Sequence, residues 1–126
     1  MSHDIVADAL NEIKNASRAR KEKITIKISS KLLIEILGIM ETKGYVKSYK
    51  YNPENNSVEI HIGNVKECKA IKPRYYVTKD EIEKYIRRYL PARDYGVIVI
   101  STNKGLMTHE EVLEKKIGGS LVAFFY

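Results

Sequence analysis

The side chains able to do chemistry are few, and their spacing does not assemble a reaction centre. A catalytic centre requires a nucleophile beside a base, a paired acid and base, a metal cluster or a cofactor cradle. The histidines are His3, His61 and His109. His61 alternates with Ile60 and Ile62, which turns it outward on a strand whose neighbours point inward. His109-Glu110 opens a helix, but Leu113 stands where a two-histidine zinc motif needs its second ligand. His3 lies in a fraying terminus, and a surface or capping role is expected for all three. Glu110, Glu111 and Glu114 sit near the start of the same helix, where negative charge offsets the positive end of the dipole. Cys68 is the only cysteine, which excludes an internal disulfide or a thiolate zinc site and predicts a small, half-buried hydrophobe. There is no glycine-rich loop followed by Lys-Ser or Lys-Thr, and no strand-turn-helix with three spaced glycines. The sequence therefore reads as a non-enzyme, with no catalytic residue, no metal site and no cofactor.

What remains is chemistry of contact. The turn Ser101-Thr102-Asn103-Lys104-Gly105 gathers short polar side chains, one cation and a glycine behind an apolar strand. Hydroxyls and amides of this reach read base edges and 2′-hydroxyls in the shallow groove of RNA, and Lys104 suits a phosphate. Spacing alone serves equally an ordinary polar turn that caps a strand. The charge distribution favours an anionic partner: of the net +6, the whole surplus falls between Lys14 and Lys31. There Lys14, Arg18, Arg20, Lys21, Lys23, Lys27 and Lys31 are opposed only by Glu22, while the rest of the chain balances to zero. Such a block beside a folded core is the footprint of a phosphate-backbone contact surface. Tyrosines add stacking capacity. Tyr45, Tyr49 and Tyr51 share a strand face by spacing, with packing against a helix the preferred reading, and one of Tyr75 and Tyr76, beside Lys72 and Arg74, is placed to touch RNA while its neighbour packs inward.

These residues need elements to hold them. Ile5, Val6, Ala9, Leu10 and Ile13 predict a first helix, capped by Asp4 and running to about Ala16. Ile24, Ile26 and Ile28 alternate as a strand, and an apolar stripe from Leu32 to Met40 predicts a second helix over 30–43. Strands over 45–51 and 58–62 flank the turn Asn52-Pro53-Glu54-Asn55-Asn56 and make a hairpin. A polar, basic connector over 65–72 leads to a strand over 74–77. Thr78 with Glu81, and Thr108 with Glu111, show the capping-box pattern ahead of two more helices, the first ending before Pro91. Between those helices, Val97 to Ile100 is apolar throughout and predicts a strand covered on both faces. After Gly118-Gly119 a terminal strand runs from Leu121. The fold class is α+β: an N-terminal lobe over 1–64 reading helix, strand, helix, strand, strand, and a β-rich C-terminal lobe with short helices over 65–126 that carries the polar turn. No apolar run approaches the roughly 20 residues that span a bilayer, and no basic leader precedes an apolar stretch, so a cytoplasmic protein without a membrane partner is expected.

The run Gly96-Val-Ile-Val-Ile-Ser-Thr-Asn-Lys-Gly-Leu-Met107 resembles the signature of the eighth small-subunit ribosomal protein family. Asp8-Ala-Leu-Asn-Glu-Ile-Lys-Asn-Ala16, Ser29-Ser-Lys-Leu32 and Gly118-Gly119 extend the resemblance in order along almost the whole chain. The ending Phe124-Phe125-Tyr126 and the segment 78–90 are more similar to archaeal and eukaryotic members than to bacterial ones. The resemblance implies two small packed α/β lobes and a protein of the ribosome. Such a protein binds an internally looped helix in the central domain of small-subunit ribosomal RNA and helps assemble the platform beside neighbouring small-subunit proteins. It also implies, as an alternative, repression of its own messenger RNA through the same surface. By position it assigns RNA contact to Ser101, Thr102, Lys104 and Gly105, with Asn103 offering an amide where many members carry serine. Lys14, Asn15, Arg18 and Lys31 come from the first two helices, Lys72 and Arg74 stand beside the turn, and Gly118 and Gly119 complete the set. Val112 and Ser120 depart from the family pattern, and Ser120 is not carried over.

Overall fold

The computed structural model describes residues 5–27, 30–92 and 95–126. The expected cap Asp4, the terminal His3, the strand end Ile28 and the helix-leading Ser29 lie outside the described residues. The fold is α+β and divides into two units, Met1–Cys68 and Lys69–Tyr126.

In the first unit, α1 (Ile5–Arg18) and α2 (Lys31–Thr42) bury the stripes their spacing predicts: Val6, Ala9, Leu10, Ile13 and Ala16 on one, Leu33, Ile36, Leu37 and Met40 on the other. They pack with an antiparallel sheet of β1 (Lys23–Ile26), β2 (Val46–Asn52) and β3 (Ser57–Ile62), in the order β1-β3-β2, whose inner face carries Ile26, Val46, Val58, Ile60 and Ile62. Each such aliphatic side chain contributes about 1.5–3 kcal/mol on burial. α1 runs two residues past the expected Ala16 because a left-handed Arg20 (φ 59°) ends it instead of a glycine. The amides of Arg20 and Lys21 turn back to the Ser17 and Ala16 carbonyls at 3.1 and 2.9 Å, satisfying acceptors that a helix end otherwise leaves open. Ser30 begins α2, its hydroxyl accepting from the Leu33 amide at 3.1 Å.

Two expectations fail here for local reasons. The pairing of β2 with β3 slips by a residue between Val46 and Ser48, so Val46, not Tyr45, shares the inner face with Tyr49. Tyr49 meets α2 beside Gly38, whereas Tyr51 stays 43% exposed and donates to Asn56 Oδ1 at 3.2 Å. The connector over 65–72 is also more than polar linkage. Val65, Cys68 and Ile71 are buried, and β4 (Cys68–Ala70) lies within it. The connector is fastened to α1 through Ser17 Oγ to the Val65 carbonyl (2.6 Å) and Cys68 Sγ to the Leu10 carbonyl (2.9 Å). Cys68 is thus fully buried rather than half-buried, and burial, reinforced by the neighbouring Glu67, pushes its thiol pKa from 9.0 up to about 12.

The second unit is built on β8 (Gly119–Phe125), which pairs with β4 and β5 (Tyr76–Val77) and with β6 (Val97–Thr102), while β6 pairs in turn with β7 (Gly105–Thr108). Helices α3 (Ile82–Tyr89) and α4 (His109–Lys115) cover one face, joining Ile82, Ile86 and Val112 to Ile98, Ile100, Met107, Leu121 and Phe124 in one core. Val97 to Ile100 are all buried. The Thr108 capping box forms completely, with the hydroxyl and the Glu111 carboxylate exchanging bonds with each other's amides. The Thr78 one does not. The Glu81 carboxylate accepts from Thr78 N and Oγ1 at 3.0 and 3.1 Å, but the Glu81 amide goes to the Thr78 carbonyl in a turn, and the helix starts only at Ile82. The expectation of a surface or capping His109 also fails. It is buried, and its Nδ1 accepts from the Ile98 amide at 3.1 Å, tying the start of α4 to β6.

Candidate nucleic-acid interface

The polar turn is the end of a hairpin. β6 continues through Ser101 and Thr102, which pair with Leu106 and Gly105 on a β7 strand that sequence periodicity did not reveal. The Thr102 hydroxyl is spent on shaping this end: Oγ1 accepts from the Lys104 amide at 3.0 Å and donates to the Gly105 carbonyl at 2.8 Å. Gly105 closes the turn at φ +105°, a conformation L side chains rarely adopt, with nothing within 4 Å of a notional Cβ. Asn103 and Lys104 are left exposed at the tip.

Beside the hairpin a row of polar side chains crosses the sheet. Ser101 pairs with Ser120 on β8, and Ser120 pairs with Tyr76 on β5, so Leu106, Ser101, Ser120 and Tyr76 lie in line. Their chain neighbours Met107, Ile100, Leu121 and Val77 all belong to the core beneath the helices. Alternation therefore turns the row to the opposite face. Tyr76 is 68% exposed there. Of the tyrosine pair, Tyr76 is the one that faces solvent on this row, while Tyr75 lies on the α3 side, its ring 6.3 Å from Tyr85. Lys72 and Arg74, a few residues before Tyr76, are exposed.

Gly118 and Gly119 make the row possible by what they lack. A Cβ on Gly119 would lie 2.5 Å from the Ser101 carbonyl and 2.7 Å from Ile100 Cγ2, and one on Gly118 would lie 2.5 Å from the Val77 carbonyl. The start of β8 passes between β5 and β6 only because both positions are bare. Sequence reasoning left Ser120 out and did not decide between Tyr75 and Tyr76. Ser120 breaks the family pattern, and strand register, which alone brings it beside Ser101, is not written in a single strand.

In the first unit the predicted contacts divide between two sides of α1. Lys14 and Arg18, one turn apart, both face Glu67, at 3.3 and 3.7 Å. Lys14 is largely covered, while the Arg18 side chain is 62% exposed, and an ion pair this open contributes about 0–1 kcal/mol and leaves the guanidinium accessible to a stronger anion. Asn15 looks the other way, into a groove between α1 and β1 that it lines with Lys21 and Lys23. Lys31 is exposed in the first turn of α2, where the helix dipole adds to its attraction for anions.

Among the described residues no group of three or more His, Cys, Asp or Glu side chains is placed to hold a metal ion, and no helix is long and apolar enough to cross a membrane. The hydroxyl row and the hairpin-tip cation lie in the second unit, and the basic helix exit lies in the first. This chain belongs to the Ribosomal protein S8 family, whose family model matches residues 4–126. It is 37% identical to the small ribosomal subunit protein uS8 of Archaeoglobus fulgidus and 41% identical to that of Nanoarchaeum equitans, with 100% of each chain covered in both comparisons. Both relatives are archaeal, the side of the family its C-terminal half resembles. The family is one of structural ribosomal proteins, not of enzymes.

Proposed function

We propose that this protein is a structural constituent of the small ribosomal subunit in the cytoplasm, where it binds a central-domain helix of small-subunit ribosomal RNA directly and helps assemble the platform beside neighbouring small-subunit proteins. The observation that carries the reading is the Ser101-Ser120-Tyr76 row next to the Thr102-to-Gly105 hairpin, in a chain that matches the family over 4–126. Ser101 and Ser120 supply short donors and acceptors to a shallow RNA groove, Tyr76 supplies a ring on which an unpaired base stacks, and Asn103 extends the reading edge. Lys104, Lys72 and Arg74 answer phosphates around the row. Thr102, Gly105, Gly118 and Gly119 act through geometry, by holding the hairpin and letting β8 approach Ser101. Lys14, Asn15, Arg18 and Lys31 on the first unit supply backbone contacts without sequence preference. The same row would accept a messenger RNA folded like the ribosomal site, which makes feedback on its own synthesis a second use of one surface.

The test is co-sedimentation with small subunits, together with affinity for the structured ribosomal RNA element against a scrambled helix of equal length. Preference for the first supports the reading; equal affinity for both sinks it.

A further inference from the structure

On the other side of the second unit lies an aromatic and cationic strip with no part in the row. Six rings run in sequence of contact, Tyr75, Tyr85, Tyr89, Phe124, Tyr126 and Tyr95, with successive centroids 5.1–6.3 Å apart. The inner edge of this ladder is anchored, since Phe124 belongs to the core and Tyr85, Tyr89 and Tyr126 pack against it. Its two ends are open, Tyr75 being 40% and Tyr95 42% exposed.

Cations line its outer edge. Lys84 Nζ sits 5.7 Å from the Tyr85 ring centre and Arg88 Cζ 5.5 Å from that of Tyr89, so rings and charges repeat together at one-turn spacing on α3. Arg87, also exposed on α3, lines a groove with Glu83, Ile86 and Leu90. The ion pairs found among the described residues involve none of Lys84, Arg87 and Arg88. Lys84 shares the field of Glu81, whose carboxylate is already held by Thr78. A cation resting on a ring is partly ordered before any ligand arrives, which lowers the entropic cost of binding one.

We propose that this face of α3 is a second RNA-binding surface, which takes an unpaired RNA strand by its phosphates on Lys84, Arg87 and Arg88 and by base stacking on the open rings Tyr75 and Tyr95. Rings interleaved with cations are the arrangement that suits a single strand, where bases need faces and the backbone needs charge. An acidic peptide would be held by the cations alone and would have no use for the ladder, and an apolar peptide would have to desolvate three charges. One helical turn advances about 5.4 Å, a repeat comparable with successive phosphates along a strand. Because Tyr75 and Tyr76 project to opposite faces, this surface and the Ser101 row serve different RNA segments, and the protein holds two at once.

The probe is an unstructured oligouridylate of about twelve nucleotides, long enough for one such site, titrated against the full-length chain by fluorescence anisotropy across a salt series. Replacing Lys84, Arg87 and Arg88 together by Gln should weaken binding at least about tenfold and lower the log-log salt slope by about 2, at roughly 0.7 per phosphate on a single strand. K84R/R88K should keep the slope. Y75L should weaken binding about fivefold or more with the slope unchanged, as loss of a stacked base requires, and it stands as the test if the triple variant does not fold. S101A should leave oligouridylate binding unchanged; its effect is scored on the structured ribosomal element, so this proposal and the first can fail separately. An unchanged salt slope in a folded triple variant, unchanged affinity in Y75L, or displacement of the oligouridylate by an equal concentration of oligoglutamate overturns it.

Discussion

Replacing Ser101 by Ala and, separately, Thr102 by Val distinguishes two adjacent hydroxyls that the sequence presents as a pair. The Thr102 hydroxyl makes two bonds within the hairpin, at 2.8 and 3.0 Å. A bond of this kind contributes about 0.5–1.5 kcal/mol net. Both are exposed, so water takes over the freed Lys104 amide and Gly105 carbonyl, and the combined loss falls near 1 kcal/mol, or about 3–5 °C in Tm for a chain of this size. Valine keeps the β-branched shape and strand preference, which isolates the hydroxyl. Ser101 has no such duty; it is exposed and faces the side of the sheet away from the helices. S101A should therefore leave Tm within about 1 °C yet weaken the structured RNA element by about 1–3 kcal/mol, roughly 5- to 150-fold. T102V should lower both Tm and RNA affinity, and T102S should recover both. Thermal unfolding by circular dichroism and filter binding at fixed salt give the two numbers. If S101A lowers Tm by several degrees while binding RNA normally, the reader role assigned to Ser101 is wrong, and so is the division between reading and shaping.

G119A should destabilise the chain by about 1–3 kcal/mol, because a Cβ 2.5 Å from the Ser101 carbonyl forces β8 away from β6; it should also weaken RNA binding, and a variant with wild-type Tm would show that the close approach is dispensable. Cys68, whose burial pushes its pKa from 9.0 to about 12, should react with a thiol reagent only as fast as the first unit opens. The unfolded thiol ionises first as pH rises, so the stability this group contributes is complete below pH 9 and is lost between there and about 12. Thiol reactivity at neutral pH equal to that of the denatured chain would contradict the burial.

How much of this was legible in the sequence depended on the range of the interaction. The stripes of α1 and α2 and the apolar run Val97 to Ile100 are repeats within one element, and they were read correctly. The two Thr-x-x-Glu patterns are alike in sequence and differ in outcome. At Thr108 a strand feeds directly into the helix and places the hydroxyl over the Glu111 amide, whereas at Thr78 a free turn lets the carbonyl take that amide first. The β2 slip, the burial of Cys68 and the acceptor role of His109 each depend on a partner elsewhere in the chain, as does the meeting of Ser101 with Ser120 and Tyr76. The turn residues were visible as candidates, but their separate duties were not, because a hydroxyl's use is decided by what lies within 3 Å of it.

The position of β8 bears on how the protein is made. Every strand that pairs with it, β4, β5 and β6, precedes it in the chain, so during synthesis the second unit has a vacant centre until residues 119–125 have been added. The first unit has no such dependence, since its elements and the Cys68 tether are complete by residue 68. Domains fold from the N-terminus as the chain emerges, at roughly 5–20 residues per second. The basic block is thus presented on a folded scaffold before the Ser101 row exists, and on the proposed division of roles a nascent chain would be drawn to RNA before it is able to choose which RNA.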